Sequence, residues 1–260
     1  MCGICGALSQ NSRSVDLPIA VQDMAATLRH RGPDRSDVWL AGGPSIGFGH
    51  TRLAIVDLSD AGAQPMTSAD GRWTITYNGE LYNTDDLRRR LKGPRWRGHS
   101  DTEVLIEYIA CHGVVAALEA ARGMFAFGCW DARERELWLA RDRFGEKPLY
   151  YGLHQGAFLF ASELKALRSV PGFSPEIDRH ALREYFRWTN VPSPMTIYEG
   201  VSKLPPAHFL RVSDPAEVPE PHPYWSALDT AGNAPPLPEG ADAVDCLSDV
   251  LDRAVHSQMV

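Results

Sequence analysis

Apolar residues along this chain recur in two rhythms. Residues 2 to 8, CGICGAL, are small or apolar throughout, which suits a buried strand. From about Leu17 to Arg29 the spacing becomes helical. Val21, Met24, Ala25 and Leu28 share one face, Asp16 can cap the start, and Pro18 suits the first turn. Gly32-Pro33-Asp34 then turns the chain. GFGHTRLAIV, between Ile46 and Val56, is strand-like with glycines, and WTITYNG alternates before ending at Asn78-Gly79. Two helices are predicted around residues 84–91 and 101–111. MFAFGCWD, LWLARD, LYYG and FLFAS follow as short aromatic strands, with ARERE and HQGA as polar turns among them. Strands and helices fall in separate runs, so the predicted fold class is α+β, layered, with antiparallel sheets.

The pattern changes after about Thr189. VPSPMTIYEGVSKLPPAH and the stretch from Pro215 to Pro238 are proline-rich, as a connecting segment would be. Residues 242–259 are helical again, with Val244, Leu247, Val250, Leu251, Ala254, Val255 and Met259 in one stripe. Such a helix either docks on the first domain or opens a second one. A proline-rich linker favours the second reading. The predicted divisions are 1–190 for the first domain, 191–241 for the connector and 242–260 for the first helix of a further domain.

Bulk properties narrow the function. The chain has 260 residues, 44% of them hydrophobic, and a net charge of −7, which disfavours nucleic acid and anionic membrane as partners. No apolar run reaches the length of a membrane span, and MCGICGALSQ lacks the basic flank and cleavage pattern of a leader. A cytoplasmic location is expected. The five cysteines, an odd number, are read as free thiols.

Cys2 stands out by position. Loss of Met1 would leave it with a free α-amine (ordinary pKa about 7.7–8.0) beside a thiol (about 8.5), so nucleophile and base would share one residue. Cys2 and Cys5 also make a C-x-x-C, but strand alternation points their sulfurs to opposite faces. No second such pair completes a metal site.

The motifs then fall in order: MCGICG at the start, RHRGPD at 29–34, GHTRLAIVD at 49–57, YNGELYN at 77–83 and SDTEVL at 100–105. RGMFAFGCWD at 122–131, ARDRFGEKPLYY at 140–151 and ASELKAL at 161–167 complete the series. Together they resemble the glutaminase domain of glutamine-hydrolysing asparagine synthetases, a class II, N-terminal-nucleophile amidotransferase. The resemblance covers essentially the whole chain, with 191–208 resembling the segment that leads to the synthetase domain. It implies a four-layer αββα sandwich of two stacked antiparallel sheets (the Ntn-hydrolase type). It implies that Cys2 attacks the side-chain amide of L-glutamine, with Asn78 and Gly79 as the oxyanion hole. Arg52 would anchor the α-carboxylate, Glu80 and Asp101 the α-ammonium, and backbone groups of Leu53, Ala54, Ile55 and Val56 would complete the pocket. Residue chemistry alone offers plainer readings: a hairpin turn for Asn78-Gly79, a surface salt bridge for Arg52, a helix cap for Asp101. Residues 31–34 are expected beside the site without a chemical step, and Arg141, Asp142, Arg143, Glu146 and Lys147 in ion pairs at a domain boundary.

The resemblance implies no cofactor or metal in this chain, with ATP and Mg confined to a synthetase domain. The S-G-G-x-D-S loop of that domain is absent here; Gly42-Gly43 is followed by proline. The expected partner is a synthetase domain in cis or a separate subunit, and a homodimer stays open. The acceptor is open too: aspartate, or another carboxylate such as a sugar acid. A non-catalytic glutamine-binding module is the alternative from another class.

Overall fold

The computed structural model describes residues 1–10, 15–42, 45–55, 57–93, 95–234 and 239–259. The first part of the chain runs β1 (Gly3–Ser9), α1 (Leu17–Thr27), β2 (Arg35–Leu40), β3 (Ile46–Arg52), β4 (Met66–Thr67), β5 (Trp73–Leu81) and α2 (Thr84–Arg90). Next come α3 (Asp101–His112), α4 (Val114–Ala120), β6 (Gly123–Asp131), β7 (Glu136–Arg141), β8 (Tyr150–His154), β9 (Ala157–Ala161), α5 (Leu164–Arg168) and α6 (Arg179–Trp188). The last part holds β10 (Val201–Lys203), β11 (His208–Val212), β12 (His222–Pro223), α7 (Ala227–Gly232) and α8 (Ala241–Ser257).

Among the described residues the strands make two antiparallel sheets, ordered β10-β8-β9-β1-β3-β2 and β12-β11-β7-β6-β5-β4. α1 and α5 cover the outer face of the first through Val21, Met24, Leu28 and Leu167. The helices α2, α3 and α4 cover the second through Leu87, Val104, Ile109 and Leu118. The result is the αββα sandwich that the resemblance implied. Covering both faces of a sheet explains why β1 and β9 are apolar or small at nearly every position, and why β3 is buried along its whole length, without the alternation of a half-wet strand.

α1 begins as predicted, with Asp16 accepting from the Ile19 N–H, but ends at Thr27. The Arg31 and Gly32 N–H groups bond back to Leu28 and Arg29 in turns that swing the chain towards β3. β3 is shorter than its sequence reading and stops at Arg52. β5 is longer, running through Asn78-Gly79 to Leu81. Residues 191–241, read above as a connector, contain strands that extend both sheets: β10 pairs with β8, and β11 with β7. The apolar stripe of α8 is exposed. No helix among the described residues is long and apolar enough to cross a membrane.

The layer between the sheets is filled by Ile4, Phe48, Leu139, Phe158, Phe160 and Leu210, among others. Phe160 sets its spacing. Its ring lies over Gly6 of its own sheet and Gly128 of the other, where an added methyl would sit 2.5 Å from ring atoms. Two polar ties cross the same layer. Thr76 Oγ1 donates to Gly49 O at 3.2 Å, and His50 Nε2 lies 3.2 Å from Tyr77 O. A carbonyl only accepts, so Nε2 carries the hydrogen.

Burial keeps this imidazole neutral, with its pKa pushed down to about 3. In the unfolded chain it titrates near its ordinary value of about 6.5. Between those values the unfolded chain binds a proton that the folded chain does not, so stability falls as pH drops below about 6.5. Urea midpoints should therefore decrease from pH 7 to pH 5, and His50→Gln should flatten that part of the profile. Equal slopes for the two proteins would remove His50 as the cause.

Candidate active site

Strand parity decides which side chains meet. On β1, Ile4 and Leu8 enter the inter-sheet layer, while Cys5 and Ala7 face α1. Cys2 precedes Ile4 by two residues and so belongs to the inner side. On β5, Trp73, Ile75 and Tyr77 face the helices, leaving Asn78 and Glu80 inward. At this end the layer opens into a cavity of about 150 Å³. Cys2, Arg52, Leu53, Ile55, Asn78, Gly79, Glu80 and Asp101 all line it. Ala54 is not among its walls; its N–H is held by Asp34 Oδ2 at 2.8 Å. Val56 lies outside the described residues.

Each side chain has a distinct environment. The Leu53 N–H points at Cys2 Sγ at 3.4 Å. Burial nevertheless raises the thiol's pKa, outweighing that bond and the nearby cations. Asn78 is 1% exposed, and its Nδ2 has no hydrogen-bond partner. A buried donor left unpaired costs about 1–3 kcal/mol. Asn78 and Gly79 pair with Ala126 and Phe125 of β6, so the hairpin-turn reading fails because the strand continues through them. A methyl on Gly79 would lie 2.5 Å from Met124 O, so close strand packing requires glycine there.

Arg52 is 8% exposed and makes no salt bridge among the described residues. Its Nη1 donates to Ser59 O at 2.9 Å and its Nη2 to Asp57 O, which ties the 57–62 loop to β3. A guanidinium has five N–H donors, so others stay free for a ligand. Asp101 is not the cap of α3; Ser100 is, accepting from the Glu103 N–H. Asp101 instead turns inward and accepts from Tyr77 OH at 2.9 Å, Leu81 N–H at 3.0 Å and Thr102 N–H at 2.8 Å. Burial still raises its pKa against those bonds.

The wall also holds Gln64, which the sequence reading does not single out. Gln64 joins the Tyr77 N–H to the Thr102 hydroxyl, through Oε1 at 2.7 Å and Nε2 at 3.1 Å. Nothing in AGAQPM marks it. Arg31 lies in a quoted motif, and its Nε donates to the Cys2 carbonyl at 2.9 Å. Lys147 lies in another; it lines the cavity, with Nζ 3.3 Å from Met1 Sδ. The ion pairs expected over residues 141–147 do not form among the described residues. Arg141 donates to the carbonyls of Gly145, Lys147 and Leu204, and Arg143 to those of Glu119 and Ala121. Asp142 gathers the N–H groups of Phe125, Phe144, Glu146 and Lys147. The cysteines are free thiols, and Cys5, wholly buried, has its pKa pushed up to about 12. Among the described residues no group of three or more His, Cys, Asp or Glu side chains is arranged to hold a metal ion.

Known proteins resemble this chain in sequence and in fold. Asparagine synthetase [glutamine-hydrolyzing] 3 of Bacillus subtilis is 41% identical over 222 residues, covering 82% of this chain and 35% of the relative. Amidase chry2 of Gibberella zeae is 37% identical over 235 residues, covering 86% and 34% respectively. The chain thus spans about a third of the length of these relatives. Among solved structures, the glutamine phosphoribosylpyrophosphate amidotransferase of B. subtilis superposes with a TM-score of 0.63 at 20% identity. That match covers 86% of this chain and 49% of the other, and at such identity it speaks for the fold. The family model described as glutamine amidotransferase domain matches residues 1–225, and the chain belongs to that family.

Proposed function

We propose that this domain hydrolyses L-glutamine to glutamate and ammonia through a thioester on Cys2, the ammonia serving an ATP-dependent amidation elsewhere in a longer protein. One observation carries the reading: a half-buried cysteine and an unpartnered Asn78 amide share a small cavity with an arginine and an aspartate. The thiol's raised pKa means that little thiolate stands ready, so the proton has to leave as the attack proceeds. With Met1 removed, the Cys2 α-amine takes that proton. Sulfur bonds to the amide carbon, the C–N bond breaks, and the amine's proton leaves with ammonia. Water, deprotonated by the same amine, then cleaves the thioester.

The other residues divide by charge. Negative charge develops on the amide oxygen in the transition state, where Asn78 Nδ2 and the Gly79 N–H donate to it. The unsatisfied Asn78 donor gains a partner at that moment. Arg52 offers its remaining N–H groups to the glutamine α-carboxylate. Asp101, destabilised as an anion by burial, gains most from an ammonium beside it, and Glu80 shares that task. Leu53 to Val56 supply backbone contacts.

The relatives' names carry two activities, so acceptor choice is assigned to the part that this chain does not span. Aspartate is the acceptor proposed here. ATP and Mg belong to that other part. We place the exposed stripe of α8 against it, in cis or as a partner subunit.

The glutamine analogue 6-diazo-5-oxo-L-norleucine should form one adduct, on Cys2, in protein lacking Met1, and Cys2→Ala should abolish both adduct and turnover. Peptide mass spectrometry decides this. A free N-terminal Cys2 that stays unlabelled would overturn the assignment in favour of a binding module. Asn78→Ala should lower kcat by about 100- to 1,000-fold with little change in KM. Arg52→Ala should chiefly raise KM, by the equivalent of about 1.5–3 kcal/mol, and an unchanged KM would place the carboxylate elsewhere.

A further inference from the structure

The segment that leaves β9 holds the start of β1 at alternate residues. Ser162 brackets Ile4: its N–H donates to Ile4 O at 2.9 Å, and its hydroxyl accepts from the Ile4 N–H at 3.0 Å. Glu163 reaches residue 2 through an intermediary. Its Oε1 accepts from Arg31 Nη1 at 2.8 Å, and Arg31 Nε donates to the Cys2 carbonyl at 2.9 Å. The arginine is nearly buried and its Nη2 has no partner, so few other bonds orient it. His30 and Lys165 meet the same carboxylate at 2.9 and 3.2 Å, but from more exposed positions. Gly32 fixes the arginine's backbone, since a methyl there would lie 2.3 Å from the Thr51 carbonyl group.

We infer that Glu163 is a positioning residue for the reaction: it aims Arg31, which holds the Cys2 carbonyl and so sets the direction of the thiol. The inference rests on the nucleophilic role proposed for Cys2. Residue 2 precedes the first strand pair, Gly3 with Thr51, so the sheet ladder does not hold it. Without a tie at its carbonyl, Cys2 could rotate about its backbone and move Sγ away from Asn78. A misplacement of about 1 Å can cost on the order of 100-fold in rate. Hydrogen bonds from Arg31, His30 and Lys165 keep Glu163 charged, with its pKa down at about 2 despite partial burial. The clamp therefore persists across the range in which an α-amine base titrates.

The test is a double-mutant cycle on the 260-residue chain freed of Met1. Glu163→Ala should lower kcat by about tenfold or more, with KM within about twofold. Glu163→Gln, which keeps volume and acceptor, should recover part of the loss. Arg31→Ala should fall at least as far, and adding Glu163→Ala to it should cost no more than a further factor of about two. Lys165→Met should leave kcat within about twofold, since its contact stops at the carboxylate. Thermal denaturation of each variant separates loss of folding from loss of rate. Multiplicative losses, a shift confined to KM, or a Lys165→Met loss equal to that of Glu163→Ala would overturn the Arg31 route. If the parent chain neither turns over glutamine nor labels at Cys2, the glutaminase reading fails and takes this inference with it. An active parent with an unimpaired Glu163→Ala variant defeats the inference alone.

Discussion

The hydrogen bond from His50 Nε2 to Tyr77 O joins a strand of one sheet to a strand of the other beside the cavity. Its importance follows from how the site is divided. Arg52 ends β3 and Cys2 directly precedes β1 in one sheet, whereas Asn78 and Gly79 belong to β5 of the opposite sheet. No local segment carries a complete set. Their separation is therefore the spacing of the inter-sheet layer, fixed by Phe160 against Gly6 and Gly128 and by the paired polar ties at His50 and Thr76. A packed interior deforms little and transmits strain. The same core that holds the fold thus sets the distance on which chemistry would depend.

The site is built at some cost to stability. An unpaired Asn78 amide, a carboxyl at Asp101 raised by burial and a thiol raised by burial are each worse off than they would be in water. Natural cores rarely keep such groups together without a use. Around them the neighbours are well satisfied: Gln64 bridges Tyr77 to Thr102, and Asp142 gathers four backbone N–H groups near Lys147. Rigid surroundings hold groups that are themselves poised to gain a partner.

Much of this was legible in the sequence, for physical reasons that differ from place to place. The helix at α1 announces itself by cap and period, and β1 by unbroken apolar character. Strand parity argues against the C-x-x-C as a pair, and Cys5 does lie on the opposite face from the inter-sheet layer. The site residues came from motifs in order, since their meeting depends on non-local sheet stacking that no window of sequence contains. Misreadings cluster where local chemistry favours another use. Asn-Gly is a favoured turn pair, yet here it lies within a strand, where Gly79 makes room for β6. The charges of Arg141, Asp142 and Arg143 imitate ion pairs, yet these side chains serve backbone groups at the end of β7 and in the loop after it. β2, β10 and β12 went unread because edge strands are short or polar.

Those edges bear on how copies of the molecule treat one another. An open sheet invites a neighbour to add a strand, and proteins blunt that tendency with charge, brevity or proline. Here β10 spans three residues and ends in Lys203, while β2 carries Arg35 and Asp37 bonded to each other. On the other sheet β4 spans two residues, and β12 spans two and ends in Pro223, which has no N–H to offer. The proline-rich stretch thus acts as a guard against aggregation. Cutting the chain near residue 190 would bare β8 and β7 as longer, more apolar edges and make the sandwich adhesive.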